Sequence, residues 1–324
     1  MATSEILVSA VVVNWNGARH LEICLPSLLS QSYHPLEIIV VDNASTVGSA
    51  EVAQSFGVRW LALHRNMGLA AALNRGARAA AGELVLFLNN DMRFHEAFVD
   101  SMVISMAQDA DIFSVDALQY DWAGSKPVHL ATRLTRARRA AKLCYSMLPG
   151  LYVFQESCGS PTNVLMSSAA NMLVRKSMFH TLGGFDERLP LGYEDVEVCW
   201  RAWVRGWKTI FDPAAICWHW VGASTQSTGG AARMSFRGVL SGQLLTATKL
   251  LPVNYAVRTW LVALAGLAVD VGRLRWERTV DRVEVLTEFL HYLLPLIRER
   301  HEIYALAQIS PSEQLRRLLE LAYV

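Results

Sequence analysis

The first half of the 324-residue chain alternates short apolar runs with segments of helical spacing, and this alternation restricts the fold more than any other feature. The runs Ile6 to Val13, Leu36 to Val41 and Leu84 to Leu88 are typical of strands buried on both faces. Ala18 to Gln31 and Gly68 to Ala81, which lie between them, have helical periodicity. Strands and helices in this order predict βαβ units and a mostly parallel sheet.

Two acidic residues stand directly after predicted strands. Asp42 follows the second strand, and Asp91 follows the strand that ends near Leu88. Open parallel sheets bind ligands beyond the carboxyl ends of their strands. The pattern therefore predicts that both carboxylates lie on one ligand-binding rim.

The alternation of strand-like and helix-like segments becomes less regular after about residue 120, and residues 121 to 165 are expected to form a long irregular excursion from the sheet. A basic cluster in it is interpreted as a solvated helix face, with a patch for a phosphorylated acceptor or a membrane surface as the alternative. Its members are Arg133, Arg136, Arg138, Arg139 and Lys142. A strand at Asn171 to Val174, a helix from Glu194 to about Arg205 and strands that end at His219 follow, and from about residue 232 only helices are predicted.

Charge, cysteine usage and the lengths of the apolar segments give no support to several classes of protein. Thirty basic residues nearly balance 29 acidic ones, so the charge gives no argument for nucleic-acid binding. Five cysteines without C-x-x-C spacing predict reduced thiols in a cytoplasmic protein. No basic segment precedes the first apolar run, so no signal peptide is expected. The longest uncharged stretch near the C-terminal end, Thr259 to Val269, is shorter than the roughly 20 residues of a bilayer span, so no transmembrane helix is expected.

The turn after the first strand lacks the glycine-rich phosphate loops. Asn14 to Arg19 matches neither the dinucleotide-binding nor the P-loop pattern, which disfavours a nicotinamide enzyme and a P-loop nucleotidase. A nucleotide bound here needs another way to neutralise its pyrophosphate. A divalent metal on a strand-end carboxylate would serve.

Six sequence blocks over residues 8 to 225, in order, resemble the family 2 glycosyltransferases, especially their rhamnosyltransferase-like members. The blocks are Val11 to Gly17, Ile39 to Ser45, Asn66 to Ala70 with Asn74 to Gly76, Leu88 to Asp91, Gly183 to Glu187 with Tyr193 to Asp195, and His219 to Ser224. The resemblance implies a GT-A-like α/β fold with a mostly parallel sheet flanked by helices. We expect a catalytic domain over 1–230, divided into a nucleotide-sugar-binding half (1–118) and an acceptor half (119–230), and a helical C-terminal extension over 231–324.

The resemblance also implies residue roles. Asp195 would be the general base that takes the acceptor's proton, and Asp91 with His219 would bind Mg²⁺ or Mn²⁺. The donor nucleotide would be bound by Asn14, Asn16, Asp42, Asn43, Ser45, Asn66, Gly68, Asn74 and Asn90. The acceptor would be bound by Gly184, Phe185, Asp186 and Glu194. Because Asn89 and Asn90 stand where the family often has carboxylates, the substrate phosphates would supply much of the metal coordination.

Each key residue also has a structural interpretation. Asp42 is a good turn residue, and Asp91 and Asp195 are acids at predicted helix N-termini. His219 could be a core histidine, and the tryptophans from Trp200 to Trp207 are interpreted as core.

The combined prediction is an inverting, metal-dependent glycosyltransferase of cell-envelope polysaccharide biosynthesis. Its expected donor is dTDP-rhamnose, or else a UDP-hexose, and its acceptor a glycan or lipid-linked glycan. A nucleotidyltransferase, a non-catalytic nucleotide-sugar-binding module and a scaffold protein are the alternatives. The C-terminal helices, which carry apolar residues such as Val283, Leu286 and Leu290 at helical spacing, would pack on the catalytic domain, form a homo-oligomer or lie peripherally on the inner membrane face.

Overall fold

The computed structural model describes residues 6–46, 48–136, 144–189, 192–220, 236–307 and 309–321. The strands are β1 (Val8–Asn14), β2 (Leu36–Asp42), β3 (Arg59–Ala62), β4 (Leu84–Asn89), β5 (Met92–Phe94), β6 (Ile112–Asp121), β7 (Pro127–His129), β8 (Ala131–Thr135), β9 (Cys144–Leu148), β10 (Leu151–Glu156), β11 (Thr162–Asn163), β12 (Asn171–Arg175) and β13 (Lys208–His219). The helices are α1 (Ala18–Leu29), α2 (Ser49–Ser55), α3 (Leu69–Ala79), α4 (Phe98–Ala107), α5 (Lys176–Thr181), α6 (Glu194–Val204), α7 (Phe236–Leu250), α8 (Val253–Gly272), α9 (Trp276–Ala307) and α10 (Pro311–Glu320).

The central sheet has the strand order β11-β13-β6-β12-β4-β1-β2-β3, with β5 paired to β13 and β7 to β6. Strands β3, β2, β1 and β4 are parallel to one another. Strand β12 is antiparallel to both β4 and β6, so β6 and its parallel partner β13 run in the same direction as β4. The predicted mostly parallel sheet is confirmed.

Helix α3 lies against the sheet on a small-residue surface. A Cβ atom on Gly76 would lie 2.2 Å from Cγ1 of Val11 on β1, so glycine permits this close approach. Val11 and Val41 are completely buried beneath the helix, as the continuous apolar runs predict.

The predicted irregular excursion is wrong. Within residues 121 to 165, β8, β10 and β9 form a second, antiparallel sheet. Arg133 lies on β8 rather than on a solvated helix, is 5% exposed, and donates from Nε to Oε1 of Glu156 at 2.8 Å. Of the other members of the basic cluster, Arg136 lies in an exposed bend, and 138, 139 and 142 lie outside the described residues.

The C-terminal helices contact the α/β part of the chain directly. Tyr304 on α9 accepts a hydrogen bond from Nε1 of Trp200 on α6 at 3.2 Å and donates to the carbonyl of Leu250. Trp200 is completely buried, which confirms the interpretation of that tryptophan as core.

Helix α8 carries exposed apolar side chains, among them Val257, Leu261 and Leu264. In the part of the chain that the structure describes, it is the one helix whose length and composition would suffice to cross a membrane. The expectation of no membrane span considered only the uncharged run from Thr259 to Val269. The helix extends beyond that run at both ends and includes Arg258 and Asp270.

Candidate active site

Asn14 lies at the centre of a polar network where β1, β2 and β4 end. Its Nδ2 donates to Oδ1 of Asp42 at 3.0 Å and lies 3.2 Å from Oγ of Ser45. Its Oδ1 accepts from Nδ2 of Asn90 at 2.6 Å. The parallel register, in which Asn14 pairs with Asp42, fixes these groups at the rim. Four of the predicted donor-side residues are thus in contact with one another.

The loops after β1 and β2 contain backbone in the left-handed region. Asn16 has φ 53° and Ala44 has φ 64°, values that non-glycine residues adopt rarely outside sites where the surroundings hold them. The amide of Asn16 donates to Oγ of Ser45 at 2.8 Å, and the amide of Thr46 donates to Oδ1 of Asn16 at 2.8 Å. These bonds join the two loops.

Asp42 also acts as a turn residue, because the amide of Ser45 donates to its Oδ2 at 2.9 Å. The structural interpretation of Asp42 as a turn residue is therefore confirmed, and the same carboxylate is the one predicted to bind the donor. Binding of the nucleobase by Asp42 stays a prediction.

A second donor-side group lies where α3 begins. Nδ2 of Asn43 donates to Oδ1 of Asn66 at 3.0 Å and lies 3.3 Å from the carbonyl of Gly68. The amide of Met67 donates to Oδ1 of Asn43 at 2.8 Å. Asn43 therefore orders the loop that leads into α3.

Asn74 connects the predicted donor side with the predicted acceptor side. Its Oδ1 accepts from the amide of Phe185, and its Nδ2 donates to the carbonyl of Phe185, both at 2.9 Å. This side chain holds the loop after α5 against α3. Its predicted contact with the nucleotide remains a prediction.

Asp91 and His219 meet although they are far apart in the sequence. Strand β5 pairs with β13 so that Met92 lies opposite His219. Nε2 of His219 then lies 3.3 Å from Oδ1 of Asp91, and their side chains are 15% and 4% exposed. The structure brings the two predicted metal ligands together.

The donor set fits a divalent metal in its chemistry. Nδ1 of His219 lies 3.0 Å from Oε1 of Gln119, an acceptor, so a proton on Nδ1 would be donated to Gln119 and Nε2 would be left to bind a cation beside Asp91. A carboxylate oxygen and an imidazole nitrogen suit Mn²⁺ as well as Mg²⁺. Among the described residues, no group of three or more His, Cys, Asp or Glu side chains could hold a metal. A bound cation would therefore need further ligands from its substrate.

The predicted base lies in a cluster of acids at the start of α6. Asp195 as a whole residue is partly exposed. Burial of its carboxylate is nevertheless the main cause that raises its pKa. Burial and then the charge of Asp195 raise the pKa of Glu194 to about 8. Glu194 accepts from the amides of Gly192 and Tyr193 at 2.7 and 3.0 Å. Glu194 therefore shapes the turn before Asp195.

Sequence reasoning missed two residues of this cluster. Asp116 on β6 is completely buried, and Nε2 of His129 on β7 lies 2.7 Å from its Oδ2. A lone carboxylate in the apolar run from Ile112 to Ala117 was a signal that could have found Asp116. His129 had no such signal, because β7 was not predicted.

The predicted acceptor-side residues Phe185 and Asp186 have firm structural partners. Phe185 is 2% exposed and its ring packs 5.1 Å from Phe87. Asp186 pairs with Arg188 at 2.6 Å and with Lys249 at 2.8 Å. Burial opposes ionisation of Asp186, but the hydrogen bond from Arg188 and the charge of Lys249 hold its pKa well below its usual value. Contact of these side chains with an acceptor stays a prediction.

Gly184 is confined by the same loop. Its φ is 80°, and a Cβ atom there would lie 2.5 Å from Oδ1 of Asn74. Only glycine adopts this backbone readily and leaves the Asn74 side chain in place.

Two characterised proteins are similar to this chain in sequence. The chain is 28% identical over 241 residues to N-acetylglucosaminyl-diphospho-decaprenol L-rhamnosyltransferase of Mycobacterium tuberculosis, covering 68% of this chain and 78% of that protein. It is 23% identical over 242 residues to poly-β-1,6-N-acetyl-D-glucosamine synthase of Staphylococcus aureus, covering 72% of this chain and 54% of the synthase.

Solved structures share the fold. GalNAc-T7 with UDP, GalNAc and Mn²⁺ matches with a TM-score of 0.57 at 17% identity, over 76% of this chain and about half (48%) of that chain. The mannosyltransferase PcManGT from Pyrobaculum calidifontis, in complex with GDP-Man and Mn²⁺, matches with a TM-score of 0.51 at 17% identity, over 98% and 85% of the two chains. These likenesses confirm the GT-A-like fold with its helical region.

The family model for glycosyl transferase family 2 matches residues 9–183, which is more than half of the chain. This segment contains the donor-side rim, Asp91 and the Asp116–His129 pair. The chain belongs to glycosyl transferase family 2.

Proposed function

We propose that this glycosyltransferase is an inverting, metal-dependent enzyme in which Asp195 is the base and Asp91 and His219 hold Mg²⁺ or Mn²⁺. The contact at 3.3 Å between Asp91 and His219 carries the proposal, because it joins a carboxylate and an imidazole at the rim where strand-end ligands bind. When bound, the metal would neutralise charge on the donor's diphosphate.

The residues of the chain account for the remaining steps. A hydroxyl of the acceptor attacks the anomeric carbon and gives its proton to a carboxylate oxygen of Asp195. The bond from the acceptor oxygen to that carbon forms as the bond to the diphosphate oxygen breaks, and the nucleoside diphosphate leaves. A single displacement inverts the configuration and needs no covalent intermediate. The raised pKa of Asp195 makes its carboxylate a stronger base than an ordinary aspartate.

The proposed donor is dTDP-rhamnose, with a UDP-hexose as the second choice, and the proposed acceptor is a lipid-linked glycan. The mycobacterial relative, by its name, transfers L-rhamnose to a lipid-linked N-acetylglucosamine, and it supports this choice. The synthase from Staphylococcus aureus supports a role in envelope polysaccharide synthesis.

A lipid-linked acceptor would be reached at the inner face of the membrane, where we propose that α8 and the turn after it bind peripherally. Leu274 and Trp276 at this turn are 69% and 61% exposed. Exposed Arg273, Arg275 and Arg278 alternate with them, which suits the anionic surface of a membrane. Co-sedimentation with phosphatidylglycerol vesicles should be lost in a Leu274→Ser/Trp276→Ser variant, whereas equal sedimentation of both proteins would refute this contact.

Transfer assays with purified protein test the reaction. Release of dTDP or UDP from each candidate donor is measured with an isolated lipid-linked glycan fraction, with and without Mg²⁺ or Mn²⁺. Asp195→Asn should bind nucleotide normally but lose at least about a hundredfold in kcat, as expected for a missing general base. Asp91→Ala should lose metal-dependent binding of the nucleotide, measured by calorimetry.

The matched control for both variants is Asp111→Asn, an exposed acid before β6 that lies outside the site. Unchanged transfer in both Asp195→Asn and Asp91→Ala would refute the proposed mechanism. Metal-dependent nucleotide binding without transfer to any acceptor would favour the non-catalytic binding module.

A further inference from the structure

The proposed reaction leaves one buried ion pair unused, that between Asp116 and His129. Nε2 of His129 lies 2.7 Å from Oδ2 of Asp116, and the two side chains are 10% and 0% exposed. The β6–β7 hairpin brings His129 back to β6, where it lies opposite Gln119 in the register. Because the burial of two charged groups costs desolvation energy, a pair this deeply buried is a candidate for a functional role.

Consecutive backbone amides connect this pair with the proposed base. The amide of Ser168 donates to Oδ1 of Asp116 at 3.1 Å, and the next amide, that of Ala169, donates to the carboxylate of Asp195. Neighbouring residues are only about 3.8 Å apart along the chain. Asp116 and Asp195 are therefore bound by consecutive amides of one segment, and the charge of His129, which contacts Asp116, acts on both carboxylates.

We propose that His129, protonated and held by Asp116, is a positioning residue that keeps Asp195 ionised for its attack on the acceptor's proton. The inference rests on the proposed function, since it assumes that Asp195 is the base. It gives a role to two residues that the donor, metal and acceptor assignments leave out.

The signs of the charge interactions agree with this role. Burial and the charge of Asp116 both raise the pKa of Asp195, whereas the charge of His129 lowers it, and by more than Asp116 raises it. Burial lowers the pKa of His129, but the charges of Asp116 and Asp195 outweigh it, so the pKa lies above 6.5. Glu194, whose pKa is about 8, is largely protonated at neutral pH and adds little negative charge.

The test is the pH dependence of transfer in two variants. His129→Gln leaves Asp116 as an unbalanced negative neighbour, so the pKa of Asp195 should rise. His129→Gln/Asp116→Asn removes both charges. The pH at the acidic midpoint of the kcat profile should therefore increase in the order wild type, double variant, single variant. For the single variant we expect a shift of about one pH unit, which corresponds to a tenfold lower kcat on the acidic side of the profile. All three should converge at alkaline pH, where Asp195 is ionised in each.

Further readouts separate this role from a structural one. The dissociation constant for nucleotide with metal and the acceptor KM should remain unchanged, because the charge acts on kcat. His180→Gln, on the exposed surface of α5, is the matched control and should leave the profile unchanged. If His129→Gln does not fold because Asp116 is left unpaired, the double variant still carries the test.

Two outcomes must be distinguished. A lower rate at every pH without a shift of the acidic midpoint, in whichever variant folds, would overturn the role of His129 while Asp195 could still be the base. Full transfer by Asp195→Asn would instead overturn the proposed function on which the inference rests.

Discussion

Lys249 is buried within a cluster of six charges that joins the loop after α5 to the C-terminal helices, and its replacement by methionine should destabilise the fold strongly. Its Nζ lies 2.8 Å from Asp186, 2.7 Å from Glu197 and 3.3 Å from Glu299. The cluster's other cations are Arg188, which pairs with Asp186 and Glu299, and Arg201, which pairs with Glu197. Three positive and three negative charges therefore balance.

The expected magnitude follows from what remains after the substitution. Removal of one partner from a buried pair costs about 3–5 kcal/mol, because the other charge stays buried. In Lys249→Met, Asp186 keeps Arg188 and Glu197 keeps Arg201, so both acids retain a cation. We therefore expect a loss near the lower end, about 3 kcal/mol in the free energy of unfolding.

Urea unfolding at neutral pH measures this loss. Lys208→Met is the matched control, because Lys208 pairs with Asp109 at 2.5 Å but both side chains are more than one-third exposed. A loss for Lys249→Met no larger than that for Lys208→Met would refute the reasoning.

The pH dependence gives a second check. Burial opposes ionisation of Asp186 and Glu197, yet their cationic partners lower the pKa of each below the unfolded values of 3.8 and 4.5. Stability from these carboxylates is therefore present above those unfolded values and is lost as the pH falls through the lower folded ones. The difference between wild type and Lys249→Met should shrink on acidification and stay constant near neutrality.

Three further substitutions test other features. Gly76→Ala should lower the melting temperature and the yield of folded protein, because the new Cβ would lie 2.2 Å from Val11. Gly184→Ala should raise the acceptor KM or prevent transfer, since φ is 80° there and the Cβ would displace the Asn74 side chain, whereas nucleotide affinity measured by calorimetry should persist. Glu194→Gln should remove a decline in stability as the pH rises from about 4.5 to about 8, because a carboxyl whose folded pKa is raised binds its proton more tightly in the folded state. An identical decline in wild type and Glu194→Gln would contradict this assignment.

The donor half could be predicted because its signals are local. Continuous apolar runs identified β1, β2 and β4, and parallel strands necessarily end on one rim. The position of Asp42 beside Asn14 follows from that register alone. The pairing of Asp91 with His219 required the family resemblance, since the β5–β13 contact is non-local.

The second sheet and the charge relationships could not be read in the same way. Strands β8, β9 and β10 are short and acquire their identity by pairing with one another, which local periodicity does not report. For this reason local periodicity predicts a solvated helix face for Arg133, whereas its nearly buried side chain pairs with the partly exposed Glu156 from a strand. The contact of His129 with Asp116 depends on the register of a hairpin that the sequence did not reveal.

The charge cluster around Lys249 also bears on how members of this family could exchange parts. A recombinant that received another member's helical tail but kept its own loop from residues 183 to 188 would combine cations and acids that had not been inherited together. Such a protein would carry unmatched charge in its interior. The loop and the tail should therefore be inherited together. Substitutions at positions 186, 197 and 249 should covary among homologous proteins.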